Sequence, residues 1–268
     1  MSKRLLTPAE AVLLLAPTGA TAKKCIEAAL LSLIDCGRIA VEPSSNPFKP
    51  SALLLTASAA ATADPLPAHL EVVERALVDH GKGDRLVASQ VVHALQKRFG
   101  LGFARYVHHQ VAPSLMSRAL LSRTDSKWLG LFPRTVYRRL PPGDELAAPL
   151  ERLMAAVERM PSLIRSEPER ALRLARSAGV LLILSPKARR KIPRLRRLLA
   201  ERGDEGASLA YFPVECDMPK WERVLELGDM ALDFDLDSLF DGLDAVGDFT
   251  SGADSSSSDG GGDGGGGD

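Results

Sequence analysis

The sequence predicts a mainly helical protein with one or two short β-hairpins and a disordered, acidic, glycine-rich C-terminal tail. Leu, Ala and Arg dominate the composition and only 5% of the residues are aromatic, which favours helices over sheets. Apolar residues make up 45% of the chain, enough for an ordinary core. The composition changes near residue 203. We therefore expect a helical domain over residues 5–202 and a tail over residues 203–268.

Capping signals and apolar periodicity predict the helices. Thr7, Pro8 and Glu10 match a capping box with proline at the first helical position, so a short helix is expected to begin there. In the next helix, over 21–36, apolar residues recur at helical spacing. Gly37 is its expected C-cap, and if Thr21 caps the start, Lys23 and Lys24 lie near the positive end of the helix dipole. Further helices are expected over 68–80, 86–99, 103–121, 145–160, 168–184 and 186–202.

Two strand pairs are expected between these helices. Residues 38–42 alternate polar and apolar side chains, a turn-rich loop follows, and residues 51–56 form the returning strand. Residues 127–140 are expected to form a second strand pair or an ordered loop. A helix followed by glycine and a hairpin is typical of a winged-helix unit, which makes nucleic-acid binding one alternative function.

The charge of the chain is sorted along its length. Residues 1–202 hold 32 of the 34 Lys and Arg but 17 of the 34 Asp and Glu, whereas residues 203–268 hold 2 basic and 17 acidic residues. A net charge of zero therefore combines a body of about +15 with a tail of about −15. Such a body suits an anionic partner, which can be a lipid headgroup, a nucleic acid or an acidic protein.

The tail has two parts. Residues 229–249 alternate acidic and apolar side chains, as a partner-binding linear motif does, and this segment could also fold back on the basic body. Residues 248–268 are mostly Gly, Ser and Asp, which cannot offset the entropy of an ordered chain. We expect disorder here, and a protein-interaction scaffold acting through the tail is a second alternative function.

Several classes of protein are excluded by what the sequence lacks. No segment has the roughly 18 apolar residues that a membrane span needs, so a cytoplasmic protein with at most peripheral membrane contact is expected. Cys25, Cys36 and Cys216 have no metal-ligand spacing, and the first two are expected to be buried. The histidines show no zinc pattern, and no phosphate loop, nucleophile elbow or dinucleotide fingerprint is present. We expect neither an enzyme, nor a cofactor, nor a metal site.

Three stretches of the chain together resemble the Golgi phosphoprotein 3 (GPP34) family. They are Ala28–Glu42, Val111–Pro133 and Pro168–Leu199, which share with that family a helix closing in a Gly-Arg-hydrophobic turn, a Leu-Phe strand before a proline turn, and an Arg-rich final helix. The resemblance implies a mainly helical domain around a central helix bundle. It also implies a peripheral membrane protein that recognises phosphatidylinositol 4-phosphate and, in eukaryotes, acts as a coat adaptor at the Golgi.

The resemblance also implies a headgroup site. The family's paired arginines align with Arg105 and His108, and Lys23 and Lys24 stand one turn before the position of an early-helix arginine. Arg supplies a planar fork of donors and Lys a point charge, the two ways in which proteins hold phosphate. The expected headgroup residues are therefore Lys23, Lys24, Arg105 and His108.

A denser group of cations lies near the end of the helical domain. Spacings of three, four and seven place Lys187, Arg190, Arg194 and Arg197 on one face of the predicted helix 186–202, with Ile192, Leu195, Leu198 and Leu199 opposite. Such a helix can lie on anionic lipid, grip DNA phosphates, or present a solvated face to the acidic tail. Our leading hypothesis is a non-enzymatic adaptor that docks on anionic phospholipid through these residues.

Overall fold

The structure of the protein is a computed structural model that describes residues 6–18, 21–42, 52–54, 66–81, 86–128 and 132–200. Within these ranges the chain is mainly helical with small antiparallel sheets, and this part of the predicted fold class is confirmed. The expected disorder of the tail, the linear motif within it and Cys216 all lie outside the described residues.

The helices follow the chain in an order close to the predicted one. They are α1 (Pro8–Leu15), α2 (Ala22–Asp35), α3 (Ala68–Gly81), α4 (Ala88–Phe99), α5 (Ala104–Tyr106), α6 (Ala112–Ser117), α7 (Pro141–Glu158), α8 (Met160–Ser166), α9 (Pro168–Ala178), α10 (Val180–Ile183), α11 (Pro186–Arg189) and α12 (Ile192–Ala200). A 3₁₀ turn over Leu101–Phe103 precedes α5, and a π-helical turn over Val107–Val111 joins α5 to α6.

The strands form two antiparallel sheets within the described ranges. They are β1 (Ala40–Glu42), β2 (Ala52–Leu54), β3 (Leu86–Val87), β4 (Leu121–Trp128) and β5 (Phe132–Arg139). In the first sheet β2 lies between β1 and β3, with Leu53 opposite both Val41 and Leu86. In the second, β4 and β5 form a hairpin that runs from the pair Leu121–Arg139 to the pair Trp128–Phe132.

The core is centred on α2, which is apolar over most of its circumference. A helix with this pattern must be covered on several sides, and α2 packs against α1, α3 and α10. The buried residues of α2 are Ala22, Cys25, Ile26, Glu27, Ala28, Ala29, Leu30, Leu31, Leu33 and Ile34. Cys25 is buried as predicted, but Cys36 is exposed because it lies beyond the last turn of α2.

The start of α1 confirms its predicted capping box. Thr7 Oγ1 accepts a hydrogen bond from the Glu10 backbone N–H at 3.3 Å, and Glu10 Oε2 accepts one from the Thr7 N–H at 2.8 Å. Thr21 stands at the N-cap position of α2, but its side chain does not cap that helix. Thr21 has helical backbone angles, and its hydroxyl donates to the carbonyl oxygen of Thr18 at 2.6 Å, so it satisfies the preceding turn instead.

The predicted helix 103–121 is divided, and proline accounts for part of the division. In a regular helix the ring of Pro113 would clash with the carbonyl four residues earlier. The chain widens here into the π-helical turn, in which the Ala112 N–H donates to the carbonyl oxygen of Val107, five residues back. The helical region ends at Ser117, and Ala119 adopts a φ of 55° before β4 begins at Leu121. The second hairpin is therefore longer than predicted.

Other predicted boundaries also shift. The helix expected over 86–99 loses Leu86 and Val87 to β3. The helix expected over 145–160 begins earlier, at Pro141, and the one expected over 168–184 is interrupted by Gly179, which has a φ of 52°. Gly179 can adopt this left-handed φ because it has no side chain, and the helix is interrupted there.

Candidate anion-binding surface

The predicted basic helix over 186–202 is two helices with a turn between them. α11 ends at Arg189 and α12 begins at Ile192. A continuous helix would need an N–H at position 193 to bond the carbonyl of Arg189, but Pro193 has no N–H and its ring would clash there. The spacing predicted that Lys187, Arg190, Arg194 and Arg197 share one face of a single helix. That prediction is wrong, because Lys187 and Arg190 precede the start of α12. We call these four residues the α11–α12 basic surface.

The side chains of this surface are exposed, while the apolar residues between them are buried. Lys187, Arg190, Arg194 and Arg197 all face solvent. Ile192 and Leu195 are fully buried, and α12 packs against α9. Leu198 is partly buried and packs against the same core. Ile192, Leu195 and Leu198 are therefore occupied inside the protein, and the part of this surface that can meet a membrane is its charged side chains.

The four cations differ in their partners. Lys187 Nζ lies 3.4 Å from Glu158 Oε2, and the Ser185 hydroxyl donates to Glu158 Oε1 at 2.9 Å. Within the described ranges, Arg190, Arg194 and Arg197 form no ion pair. The sequence favours this, because residues 170–200 hold ten Lys and Arg and no Asp or Glu. The described part of the chain therefore supplies no acidic partner for these three arginines.

The two lysines of α2 lie around a buried carboxylate. Lys23 Nζ is 3.7 Å from Glu27 Oε1, one helical turn away, and Lys24 is exposed. Burial raises the pKa of Glu27, while the charges of Lys23, Arg189 and Lys24 oppose that rise. Lys23, Lys24 and Arg189 of α11 thus all act on the same carboxylate. Both lysines favour the ionised form of the Glu27 carboxylate inside the molecule.

The other two predicted headgroup residues lie elsewhere. Arg105 is exposed on α5, and its side chain runs beside Gly100. His108 lies in the π-helical turn, where its Nδ1 is 2.5 Å from the hydroxyl oxygen of Tyr137 on β5. Burial lowers the pKa of His108, and the charges of Arg123 and His109 lower it further against the opposing effect of Asp125. A neutral imidazole is a weaker ligand for phosphate than an imidazolium.

Three of the four predicted headgroup residues thus fall into two groups, and Arg105 belongs to neither. Lys23 and Lys24 act on the carboxylate of Glu27 together with Arg189. His108 lies with Tyr137, Arg123 and Asp125 at the base of the second hairpin, where Arg123 Nε and the Thr135 hydroxyl both donate to Asp125 Oδ1, at 2.9 and 2.8 Å. The joint site of Lys23, Lys24, Arg105 and His108 stays a prediction.

Sequence reasoning missed three residues that organise these groups. The i, i+4 spacing of Lys23 and Glu27 was a usable signal for their ion pair. The approach of Arg189 to Glu27 and of Tyr137 to His108 depends on tertiary packing, for which the sequence carries no local signal. Residues that are distant along the chain meet because α10 packs onto α2, and the second hairpin packs onto α6 and α7.

The chain matches no protein-family model, no curated protein and no solved structure. The GPP34 resemblance stays a hypothesis carried by the residues quoted for it. None of the helices that the structure describes combines the length and the apolar character that crossing a membrane requires.

Proposed function

We propose that this protein docks reversibly on anionic phospholipid membranes through the α11–α12 basic surface, as a non-enzymatic adaptor. The observation that supports the proposal is the exposure of Arg190, Arg194 and Arg197 without an ion pair in the described part of the chain. Within segment 170–200 no carboxylate competes with lipid for them. Phosphatidylinositol 4-phosphate is the headgroup that the GPP34 resemblance implies, and the experiment below includes it.

The expected strength of the attachment follows from its electrostatic character. A cation near an anionic bilayer contributes about 1 kcal/mol, so three arginines contribute about 3 kcal/mol. This is less than the roughly 4 kcal/mol of a millimolar complex, so further cations must take part in any stable contact. Arg173 on α9, the helix that packs against α12, is exposed and unpaired in the described ranges. Attachment of this kind is reversible and weakens steeply with salt.

The burial of α2 favours a membrane over nucleic acid as the partner. In the winged-helix alternative, α2 precedes the hairpin and would have to enter a DNA groove. Most of its residues are buried in the core, so it presents no face of sufficient size to a groove. The α11–α12 basic surface could still meet phosphates of a nucleic acid, and a duplex is therefore included as a competing ligand.

Vesicle flotation of the full-length protein tests the proposal. We expect binding to vesicles of phosphatidylcholine with phosphatidylserine or with phosphatidylinositol 4-phosphate, and none to phosphatidylcholine alone. In 1 M salt, where the Debye length is about 3 Å, binding should be lost. The triple variant Arg190→Ala/Arg194→Ala/Arg197→Ala should lose about 3 kcal/mol, which is more than a hundredfold in affinity.

A matched control removes the same charge from other places. Arg138, Arg152 and Arg159 are also exposed cations that form no ion pair within the described ranges. Their triple alanine variant should retain most of the binding. Equal losses in the two triple variants would show that only net charge matters and would reject the specific surface. If the protein still binds duplex DNA at a salt concentration that releases it from vesicles, the result would favour nucleic-acid binding as its function.

A further inference from the structure

A cleft between α3 and α4 is lined by positive side chains that the membrane proposal does not use. It has a volume of about 540 Å³. Its lining residues are Ala76, Asp79, His80, Ala94, Lys97 and Arg98. Pockets that hold small molecules have volumes of roughly 300–1,000 Å³, so this cleft has room for one.

The cleft exists because small side chains lie where the two helices would otherwise fill the space. α3 and α4 are held together by fully buried residues, among them Val73 and Leu77 on α3 and Leu95 on α4. Ala76 and Ala94 line the cleft beside this contact and are themselves nearly inaccessible, with 8% and 3% of their surface exposed. They form an apolar floor, and the charged residues form the walls.

The walls bring donors for an anion together from both helices. Lys97 and Arg98 are exposed, and within the described part of the chain neither forms an ion pair, although Asp79 lines the same cleft. His80 of α3 adds an imidazole, and the ring of His93 on α4 lies beside it with 5.5 Å between the ring centroids. The two cations that line the cleft outnumber its single carboxylate.

Helix stabilisation explains part of this arrangement but not all of it. Cations in the last turn of a helix interact favourably with its dipole, and His80, Lys97 and Arg98 occupy such positions. That effect acts on each helix separately. The helix dipole gives no reason for residues of two different helices to line one cavity. The convergence of the side chains on an apolar floor points to a ligand.

From this geometry we propose that the α3–α4 cleft binds a phosphate monoester of a small polyhydroxyl molecule. The guanidinium of Arg98 and the ammonium of Lys97 would hold the phosphate, the one as a fork and the other as a point charge. His80 donates a further N–H, and the Asp79 carboxylate accepts from hydroxyl groups of the substituent. The site belongs to other helices than the α11–α12 basic surface, and the inference does not depend on membrane docking.

Titration of the full-length protein with defined probes tests the site. Glucose 6-phosphate and inorganic phosphate are titrated at low salt with calorimetry, and glucose is the uncharged control. We expect saturable binding of glucose 6-phosphate, weaker binding of phosphate and none of glucose. A hydrogen bond to a charged group is worth roughly 1.5–3 kcal/mol, so Lys97→Ala and Arg98→Ala should each weaken the binding about tenfold or more.

Matched variants separate the site from general charge. Arg138→Ala/Arg159→Ala removes the same charge as Lys97→Ala/Arg98→Ala but should leave the affinity for glucose 6-phosphate unchanged. Asp79→Asn should strengthen the binding of inorganic phosphate, because it removes a repulsive charge. All four substituted cations are exposed, and thermal unfolding checks that each variant is folded.

Vesicles distinguish the two sources of such a ligand. If phosphatidylinositol 4-phosphate in phosphatidylcholine vesicles competes with glucose 6-phosphate, and Lys97→Ala/Arg98→Ala abolishes the competition, the cleft holds a lipid headgroup. If only glucose 6-phosphate binds and the same variant loses it, the ligand is a free sugar phosphate. Absence of saturable binding by either probe, or binding that Lys97→Ala/Arg98→Ala leaves intact, would overturn the proposal.

Discussion

Glu10 is fully buried, and its partners explain how a carboxylate is tolerated there. It accepts hydrogen bonds from the Thr7 N–H and from the Ser114 hydroxyl, and Arg118 Nη1 lies 3.9 Å from its Oε2. The Thr7 hydroxyl in turn lies 2.9 Å from Nε2 of the buried His69. The two residues of the capping box thus also link the start of α1 to other helices, Thr7 to α3 and Glu10 to α6. Buried charges are stable only when their partners are in place.

Tyr106 is the contrasting case. It is fully buried, and its hydroxyl has no hydrogen-bond partner among the described residues. An unpaired buried polar group costs about 1–3 kcal/mol, so Tyr106→Phe should keep or raise the free energy of unfolding in urea. The ring contact with Phe99, at 5.1 Å between centroids, is retained in the variant. A loss of more than about 1 kcal/mol would mean that the hydroxyl has a partner that matters.

The protonation of His108 should affect stability at mildly acid pH. Its pKa is lowered in the folded protein, mainly by burial, so the unfolded chain takes up a proton at higher pH than the folded one. Below about pH 6.5, the ordinary pKa of histidine, this favours unfolding, and above about pH 7 the contribution vanishes. His108→Gln should therefore reduce the drop in unfolding free energy between pH 7.5 and pH 5.5. Identical drops in both proteins would contradict the prediction.

The junction between the second hairpin and α7 depends on a glycine. The Leu140 N–H donates to the carbonyl oxygen of Leu120 at 3.0 Å, and Gly143 follows in the first turn of α7. A Cβ at Gly143 would lie 2.1 Å from that carbonyl oxygen, an impossible contact with rigid backbone. The close approach of α7 to the start of β4 requires the absence of a side chain.

Alanine substitutions at two glycines separate this steric effect from backbone strain. Gly143→Ala should destabilise the protein by several kcal/mol, because the backbone of Leu120 must move. Gly102 has a φ of 72° and open space around its added Cβ, so Gly102→Ala should cost only about 1 kcal/mol of strain. Urea unfolding of both variants checks the order. A smaller loss at Gly143 than at Gly102 would show that α7 can shift freely.

The sequence predicted most helices and the first strand pair, but it left the second hairpin open as a strand pair or an ordered loop. Several of its errors have local causes. Helix start and stop signals, such as Thr7 with Glu10, act between neighbouring residues and can be recognised in the sequence. The division of segment 186–202 into two helices could also have been predicted, because Pro193 cannot continue the preceding helix. The regular spacing of the cations in this segment favoured a single helix instead. β3 could not be predicted, because Leu86 and Val87 leave the helix to pair with β2, a strand more than thirty positions earlier.

The predicted site shows the same limit. Exposure of Arg190, Arg194 and Arg197 follows from their alternation with buried Ile192 and Leu195, which periodicity reveals. The α3–α4 cleft was not predicted, because it arises from the relative position of two helices. Its members lie at ordinary places in each helix, and no spacing within either one indicates that they face a common space.

The last described helices are part of the same core as the first. Leu182 of α10 is fully buried, and α10 packs against α2. Leu182→Ala should lower the free energy of unfolding by about 2–5 kcal/mol and reduce the hydrogen-exchange protection of α2 amides. Val78, with 47% of its surface exposed, is the control, and Val78→Ala should change stability by less than about 0.5 kcal/mol. Unchanged protection of α2 in Leu182→Ala would indicate two independently folding units.

The covering of α2 by α10 has a consequence for synthesis on the ribosome. α2 emerges early, but the residues that complete its surroundings, Val180–Ile183, are translated some 145 positions after Asp35. Until then part of its apolar surface stays uncovered, and such surface makes nascent chains prone to aggregate or to engage chaperones. The protein should therefore acquire its native core late in translation, and ribosome-bound chains that stop before α10 should remain sensitive to protease.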